Sequence, residues 1–560
     1  MSDQAKTESP RQFALWLAAL FLVVVGAKLW VVQLYGSPLP LWDQWYEAEA
    51  TLRPWVEGRL GWRDLFVPSN EHRIVFTRLL DLGIISLNGR WEPLLQMTVN
   101  VLIHATFVVA LAFALWEFLG RRSGWLICFL LAPFYALPYA AENTIWAINS
   151  QQYFMSLAAL GTVLGLGFGQ VGSWRWWLGV AAAVAGLGTM ASGFLAALAV
   201  GGLIVLRALT NRRLEKGSML TFALCVVIVV AGLAMKVSMP DDLPLRAHTL
   251  REFLAALTRN FAWPFIEHPG LLCLAMLLPL VALLIFYARK YFPDTRAAEF
   301  LLTLGLWSAL QAAAIAFGRA NYGDGFPASR YMDVLNIFVI AGFFAVLLLL
   351  RQWAKGKAAQ QLAPLAPLLL AGVLFYQLGF ISQIVVDQLL IPSRLMNLVA
   401  EERVETFLTT GDEKELFEKP TVRPDPKVIL GVLQNEKLKP IMPTACFAPA
   451  QQPAPGFLAA VAAVLLRQAP LILAAGLGLF LVLGGFGLAR GALGFPRDNL
   501  SGILALLVAL TALGFVWSRS AITRKSVEFD LQTKLAAHFQ AENNPVRAAI
   551  HERKAEALKR

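Results

Sequence analysis

The chain has 560 residues, 57% of them hydrophobic and only 15% charged, with a formal net charge of +11. A soluble domain is close to half apolar and about a quarter charged, so this balance excludes an ordinary soluble globule and predicts a polytopic membrane protein of the all-α class. A disulfide framework is excluded as well, because Cys128, Cys225 and Cys273 lie inside apolar runs and Cys446 stands alone in a polar segment.

The polar start MSDQAKTESPRQ leads into an apolar run that is too long for a cleaved leader and has no small-residue cleavage site, so it reads as a retained signal anchor. At roughly 20 apolar residues per crossing, spans fall near 13–34, 94–119, 124–140, 153–169, 175–192, 193–209, 218–237, 270–288, 300–317, 334–350, 365–386, 470–488 and 500–517. About thirteen helices result, and the boundary inside 175–209 rests only on the break Thr189-Met190-Ala191-Ser192-Gly193. Lys and Arg favour the cytoplasmic side. With the amino terminus inside, even-numbered spans end at Arg121-Arg122, at Arg207 with Arg212-Arg213 and Lys216, at Arg289-Lys290, at Arg351 with Lys355 and Lys357, and at Arg490 with Arg497. The basic tail after 518 is the exception, since this count places it outside.

The expected organisation is a transmembrane module over 1–386 with an outer loop at 35–93, a small, mostly helical outer segment at 387–457, C-terminal transmembrane helices over 458–517, and a charged tail at 518–560. In the first outer loop, Trp42, Trp45, Leu52 and Trp55 repeat at nearly helical spacing, which predicts an amphipathic helix lying at headgroup depth, with Asp43 and Glu47 on its other face. Pro68-Ser69-Asn70 predicts a second helix, capped by Ser69 or Asn70, with Glu71 in its first turn and Arg73, Arg78 and Asp81 along it. The turn AENTIWAINSQQY at 141–153 offers Glu142, Asn143 and Gln151 to a hydroxyl-rich ligand and Trp146 as a stacking plate. The glycine-rich loop GRANYGDGFPASRYMD at 318–333 carries Arg319, Asp324, Arg330, Tyr331 and Asp333, and two arginine forks suit a phosphate. Each feature also has a plainer reading: a solvated rim carboxylate for Asp43, cap chemistry for Glu71-His72-Arg73, arginines reaching lipid phosphates, a turn that is only a turn, and a core histidine for His104.

Taken together, WDQW, SNEHRI, AENTIWAINSQQYF, GRANYGDGFPASRY and the segment from LVAEERVETFLTTGD to DPKVILGVLQNEKLKPIMP resemble integral-membrane glycosyltransferases of the C-type (GT-C) superfamily, in particular bacterial members found in surface-polysaccharide settings. The likeness runs from 13 to about 457. It implies a donor sugar on a polyprenyl phosphate, a glycan or lipid-linked acceptor, contact with membrane lipids, no nucleic acid, and an active site on the periplasmic face of the inner membrane. By that resemblance Asp43 is the catalytic base of a single inverting displacement and Glu71 a second acid. Arg319, Arg330, Tyr331 and Arg73 are expected at the donor phosphate, and Trp42, Trp45, His72, Glu142, Asn143, Trp146 and Gln151 at sugar or acceptor. No metal ligand is assigned; Asp43-Gln44 stands where many relatives have paired acids, and a divalent metal stays open as a cofactor. A transporter or flippase of lipid-linked glycan is the alternative, with a membrane acyltransferase using His72 or His104 behind it.

Overall fold

The computed structural model describes residues 9–121, 124–212, 216–322, 327–353, 365–417, 425–489 and 524–559. Among them the chain is helix and loop, without a strand; the lone bridge joins Ser69 and His72 in a tight turn. Seven helices are long and apolar enough to cross a membrane, and nine spans result if two bent pairs are each counted as one. Among the described residues the expected spans thus form a helical membrane bundle with seven to nine candidates long and apolar enough to cross. The run at 175–192 forms only the 13-residue helix Trp174–Gly186, about 20 Å long at 1.5 Å per residue and short of a ~30 Å hydrocarbon layer. Its partner at 193–209 is the 17-residue helix Leu195–Asn211. The run at 124–140 breaks between Gly124–Ala136 and Pro138–Ile145 at an angle of 40°, where Pro138 cannot donate to a continuing helix. The span expected at 500–517 and the loop residues Gly323, Asp324 and Gly325 lie outside the described residues.

Small residues allow close packing in the bundle. A Cβ on Gly26 of helix Pro10–Tyr35 would collide with the Leu473 backbone, and one on Gly476 would meet Val23 N at 2.7 Å. This crossing joins the first helix to Ala469–Ala489 by backbone approach, the usual device where lipid leaves no hydrophobic drive between helices.

The first loop differs from expectation in a way that places the site. Asp43–Glu47, a π-helical turn at Ala48–Leu52 and Arg53–Val56 form one short helical stretch. Its apolar face is covered by protein rather than lipid: Trp45, Ala48 and Leu52 pack with Val404, Phe407, Ile429, Val432 and Leu438. The expected interfacial position of Trp45 is thus corrected, because the segment after 390 occupies that face. The helix Leu365–Val385 runs on without a break into Ile391–Thr410, and the rest of the segment clasps the loop through Glu92, which accepts from Thr444 N at 3.0 Å. The tail helices Arg524–Ala541 and Pro545–Lys559 dock on Ile391–Thr410, with Arg403 paired to Glu542 and His551 against Glu402.

The second loop helix spans Val75–Asn88, later than expected, and neither Ser69 nor Asn70 caps it. Ser69 and His72 instead exchange backbone hydrogen bonds at 2.8 and 3.0 Å, and Val75 N donates to Gly188 O at 3.0 Å. A tertiary acceptor thus replaces the side-chain cap. Buried Arg78 ties both halves of the loop together, donating to both Glu47 oxygens at 2.8 and 2.9 Å and to the carbonyls of Asp64, Leu65 and Val67. Asp81 beside them is pushed well above the usual carboxylate range by burial and then by the Glu47 charge. Arg78→Met leaves Glu47 charged and buried and is expected to cost about 3–5 kcal/mol. A thermal melt in detergent checks this: Arg78→Met lowers the midpoint more than the Glu47→Gln/Arg78→Met double variant does.

Candidate functional site

The ends of several helices meet around the first loop. Arg73 donates to Phe66 O at 2.8 Å and to Met235 O at 2.9 Å, joining the loop to the end of helix Lys216–Ala234. His72 reaches the Thr189–Gly193 break, where its Nδ1 accepts from Ala191 N–H at 3.2 Å. Glu71 turns to Arg319, at the end of helix Arg296–Arg319, and Asp242 takes the same guanidinium at 3.1 Å.

These contacts surround a cavity of about 210 Å3. Met155, Met190, Phe194, Leu233, Ile315 and Phe317 form its apolar walls, while Glu71, His72, Lys236, Arg246, Gln311 and Arg319 stand at its polar places. An apolar pocket with a few converging polar groups is the usual form of a ligand site. Lys236 Nζ lies over the Phe317 ring at 5.0 Å, and Arg246 Nη1 donates to Ser238 Oγ at 2.9 Å. Among the described residues neither cation has a carboxylate within salt-bridge distance.

The expected phosphate ligands are placed differently. Arg319 is held by Glu71 and Asp242. Arg330 is bracketed by Glu142, at 3.1 Å, and by the rings of Tyr322 and Tyr331, at 4.8 and 5.0 Å. Tyr331 lines the cavity, and Arg73 is engaged with two carbonyls. The open cations at the cavity are therefore Lys236 and Arg246. Sequence reading missed them, along with Asp242, because no local pattern says that 235–247 folds back over the loop; that fold-back is made by Ala247 N to Phe317 O and Asn321 N to Leu245 O.

Asp43 stands beside the cavity rather than in its wall. Asn70 Nδ2 donates to its Oδ2 at 3.0 Å, and Trp42, at a positive φ of 50°, sets its ring 5.9 Å from that of Trp146. Burial pushes the Asp43 carboxyl above its usual range, helped by Glu47 and Glu71 and opposed by Asn70 and Arg330. For Glu71, burial pushes up but is outweighed by the hydrogen bond with Asp242 and by Arg319, leaving it below its usual range. Asp242 is pushed up to about 6 by burial and then by Glu71.

The turn at 141–153 is not an open sugar platform. Glu142 and Asn143 are buried, and their polar groups are engaged internally: Glu142 with Ser329 Oγ and Arg330 N, each at 2.9 Å, and Asn143 with Arg330 O at 2.9 Å and Asp333 at 3.0 Å. Lys28 from the first helix donates to Thr144 at 3.2 Å, and Asn100 to Ala147 O at 2.7 Å. Glu142 and Asn143 thus position Arg330 rather than facing a ligand. Half-buried Gln151 has no hydrogen-bond partner for its Oε1 among the described residues, while its neighbour Gln152 lines the cavity. His104 sits 3.9 Å from Asp333 and stacks on Tyr153 at 4.4 Å.

Among the described residues no group of three or more His, Cys, Asp or Glu could hold a metal ion. No protein-family model matches the sequence, and neither a curated protein nor a solved structure matches it.

The Asp242 carboxyl gives a pH prediction. Because its folded-state value is raised, the stability it contributes is full below its ordinary value near 4 and is lost as pH rises through about 6. Melting midpoints measured from pH 4 to 7 should therefore fall more steeply in wild type than in Asp242→Asn.

Proposed function

We propose that the protein is a glycosyltransferase of the C-type (GT-C) kind, which moves a sugar from a polyprenyl phosphate to a hydroxyl of a glycan or lipid-linked acceptor at the membrane surface. The observation that carries this reading is the cavity: apolar walls at the end of membrane helices, with two cations lacking carboxylate partners at its rim, beside a carboxyl with raised affinity for protons. The apolar walls suit a prenyl chain, and Lys236 with Arg246 suit the phosphate. Both arginines first expected there instead hold the frame of the site. The proposed site faces the periplasm of a bacterial inner membrane, a placement that rests on the basic clusters at the even-numbered span ends in the sequence.

In the reaction Asp43 takes the proton of the acceptor hydroxyl, the hydroxyl oxygen attacks the anomeric carbon, and the bond from that carbon to the phosphate oxygen breaks. The electron pair leaves on the phosphate, next to Lys236 and Arg246. One displacement inverts the anomeric centre. A base raised above the ordinary carboxylate range accepts that proton more readily, and fixed cations at the leaving oxygen stabilise charge where it develops. Trp42 and Trp146 stand beside Asp43 as a stacking surface for a sugar face.

A transporter of lipid-linked glycan is the second reading, favoured by Lys28, His104 and Asp333, which are charged or titratable groups inside spanning helices. Proteoliposomes supplied with polyprenyl-phosphate sugars and candidate acceptors separate the two. Wild type should form a glycosidic product, Asp43→Asn should lose about 10²–10⁴-fold in rate, and Lys236→Gln should raise the KM for donor. Translocation without a new glycosidic bond supports the transporter, and equal transfer by Asp43→Asn sinks the proposed base.

A further inference from the structure

His72 is fixed by its two flanks. Its backbone is locked in the Ser69–His72 turn by two hydrogen bonds. Its ring is oriented by Ala191, whose amide N–H points at Nδ1 from 3.2 Å. An amide N–H can only donate, so Nδ1 must be the unprotonated, accepting nitrogen, and the neutral ring then carries its hydrogen on Nε2. His72 lines the cavity, and its Nε2 is 3.8 Å from Glu71 Oε1, beyond hydrogen-bond distance. Among the described residues the ring accepts from Ala191 and donates to nothing.

Protonating Nδ1 would point a hydrogen at the Ala191 hydrogen and break that bond. It would also add a positive charge facing Arg319 and Arg330, with Glu71 and Asp242 already engaged by Arg319. In line with this, burial and then the two arginines push the imidazole down to about 3.

We propose that His72 is a fixed neutral hydrogen-bond donor, through Nε2–H, to a phosphate oxygen of the ligand in the cavity, and not a proton acceptor. This deepens the lipid-phosphate reading and rests on it. His72 would thus be a specificity-determining residue for an anionic headgroup, adding a directional bond to the less directional charges of Lys236 and Arg246. It also removes His72 as the base of an acyltransferase mechanism, leaving only His104 of the two histidines considered for it.

Two readouts test it on the full chain in nanodiscs. Nitrogen NMR of ¹⁵N-histidine protein, with His72 assigned by its loss in His72→Gln, should show the neutral ring with Nε2 protonated throughout pH 5.5 to 8. A proton on Nδ1, or titration to imidazolium in that range, overturns the proposal irrespective of any activity. In binding, farnesyl phosphate should shift the Nε2 signal, and farnesol should not. His72→Gln, which keeps a donor near Nε2, should bind farnesyl phosphate within about threefold of wild type, while His72→Phe should lose about tenfold, as expected for one hydrogen bond to a charged group. If wild type and His72→Phe bind equally, the donor role fails and the lipid-phosphate reading stands. If wild type does not bind farnesyl phosphate at all, both fail.

Discussion

The bidentate pairing of Arg78 with Glu47 is the contact on which the site depends. It lies in the protein interior, and the same guanidinium holds three carbonyls of the 64–67 turn, so one side chain fixes both halves of the first loop. Asp43 is one helical turn before Glu47, and Asn70, Glu71 and His72 lie just before the helix that carries Arg78. Without this pair, among the described residues the carboxylate and the SNEHR turn would be joined only by the exposed Asn70–Asp43 hydrogen bond. With it, they are parts of one rigid piece whose far edge docks on Gly188, Ala191 and Met235.

A second principle concerns which charges are neutralised within the protein. Burying an ion is costly unless a counter-charge or hydrogen bonds satisfy it, and here part-buried Arg319 and Arg330 each meet carboxylates, while exposed Lys236 and half-buried Arg246 have none within salt-bridge distance among the described residues. The neutralised pairs act as frame and leave Lys236 and Arg246 open to the proposed phosphate. The buried turn at 141–149 belongs to the frame: Lys28, Asn100, Tyr153 and Asp333 hold it, and it in turn holds Arg330 through Glu142.

Much of this was legible in the sequence, and the limits have physical causes. Apolar runs identified a helical membrane bundle, since length and hydropathy are local properties. Span number was less legible, because an apolar run such as 175–192 can fold as a helix, Trp174–Gly186, too short to cross. The helical repeat marked an apolar face for Trp45, Leu52 and Trp55 but not for exposed Trp42, and periodicity does not say whether lipid or protein covers it; here the segment after 390 packs on it. Arg319 and Arg330 stood out by composition, yet their partners Glu71, Asp242 and Glu142 lie far away in sequence. Lys28 was the one overlooked signal in plain view, a lysine within an apolar run, where a charge ordinarily marks a functional or structural polar contact.

The central claim is that the cavity between Met190, Phe194, Leu233 and Ile315 receives a prenyl chain with its phosphate at Lys236 and Arg246. Photo-crosslinking with a diazirine-bearing polyprenyl phosphate in proteoliposomes, read by peptide mass spectrometry, tests this most directly. The account predicts adducts on those four wall residues that disappear when unlabelled polyprenyl phosphate is added and weaken in a Lys236→Gln/Arg246→Gln variant. Adducts confined to exposed side chains such as Leu271 and Leu278, and indifferent to competitor, would contradict it.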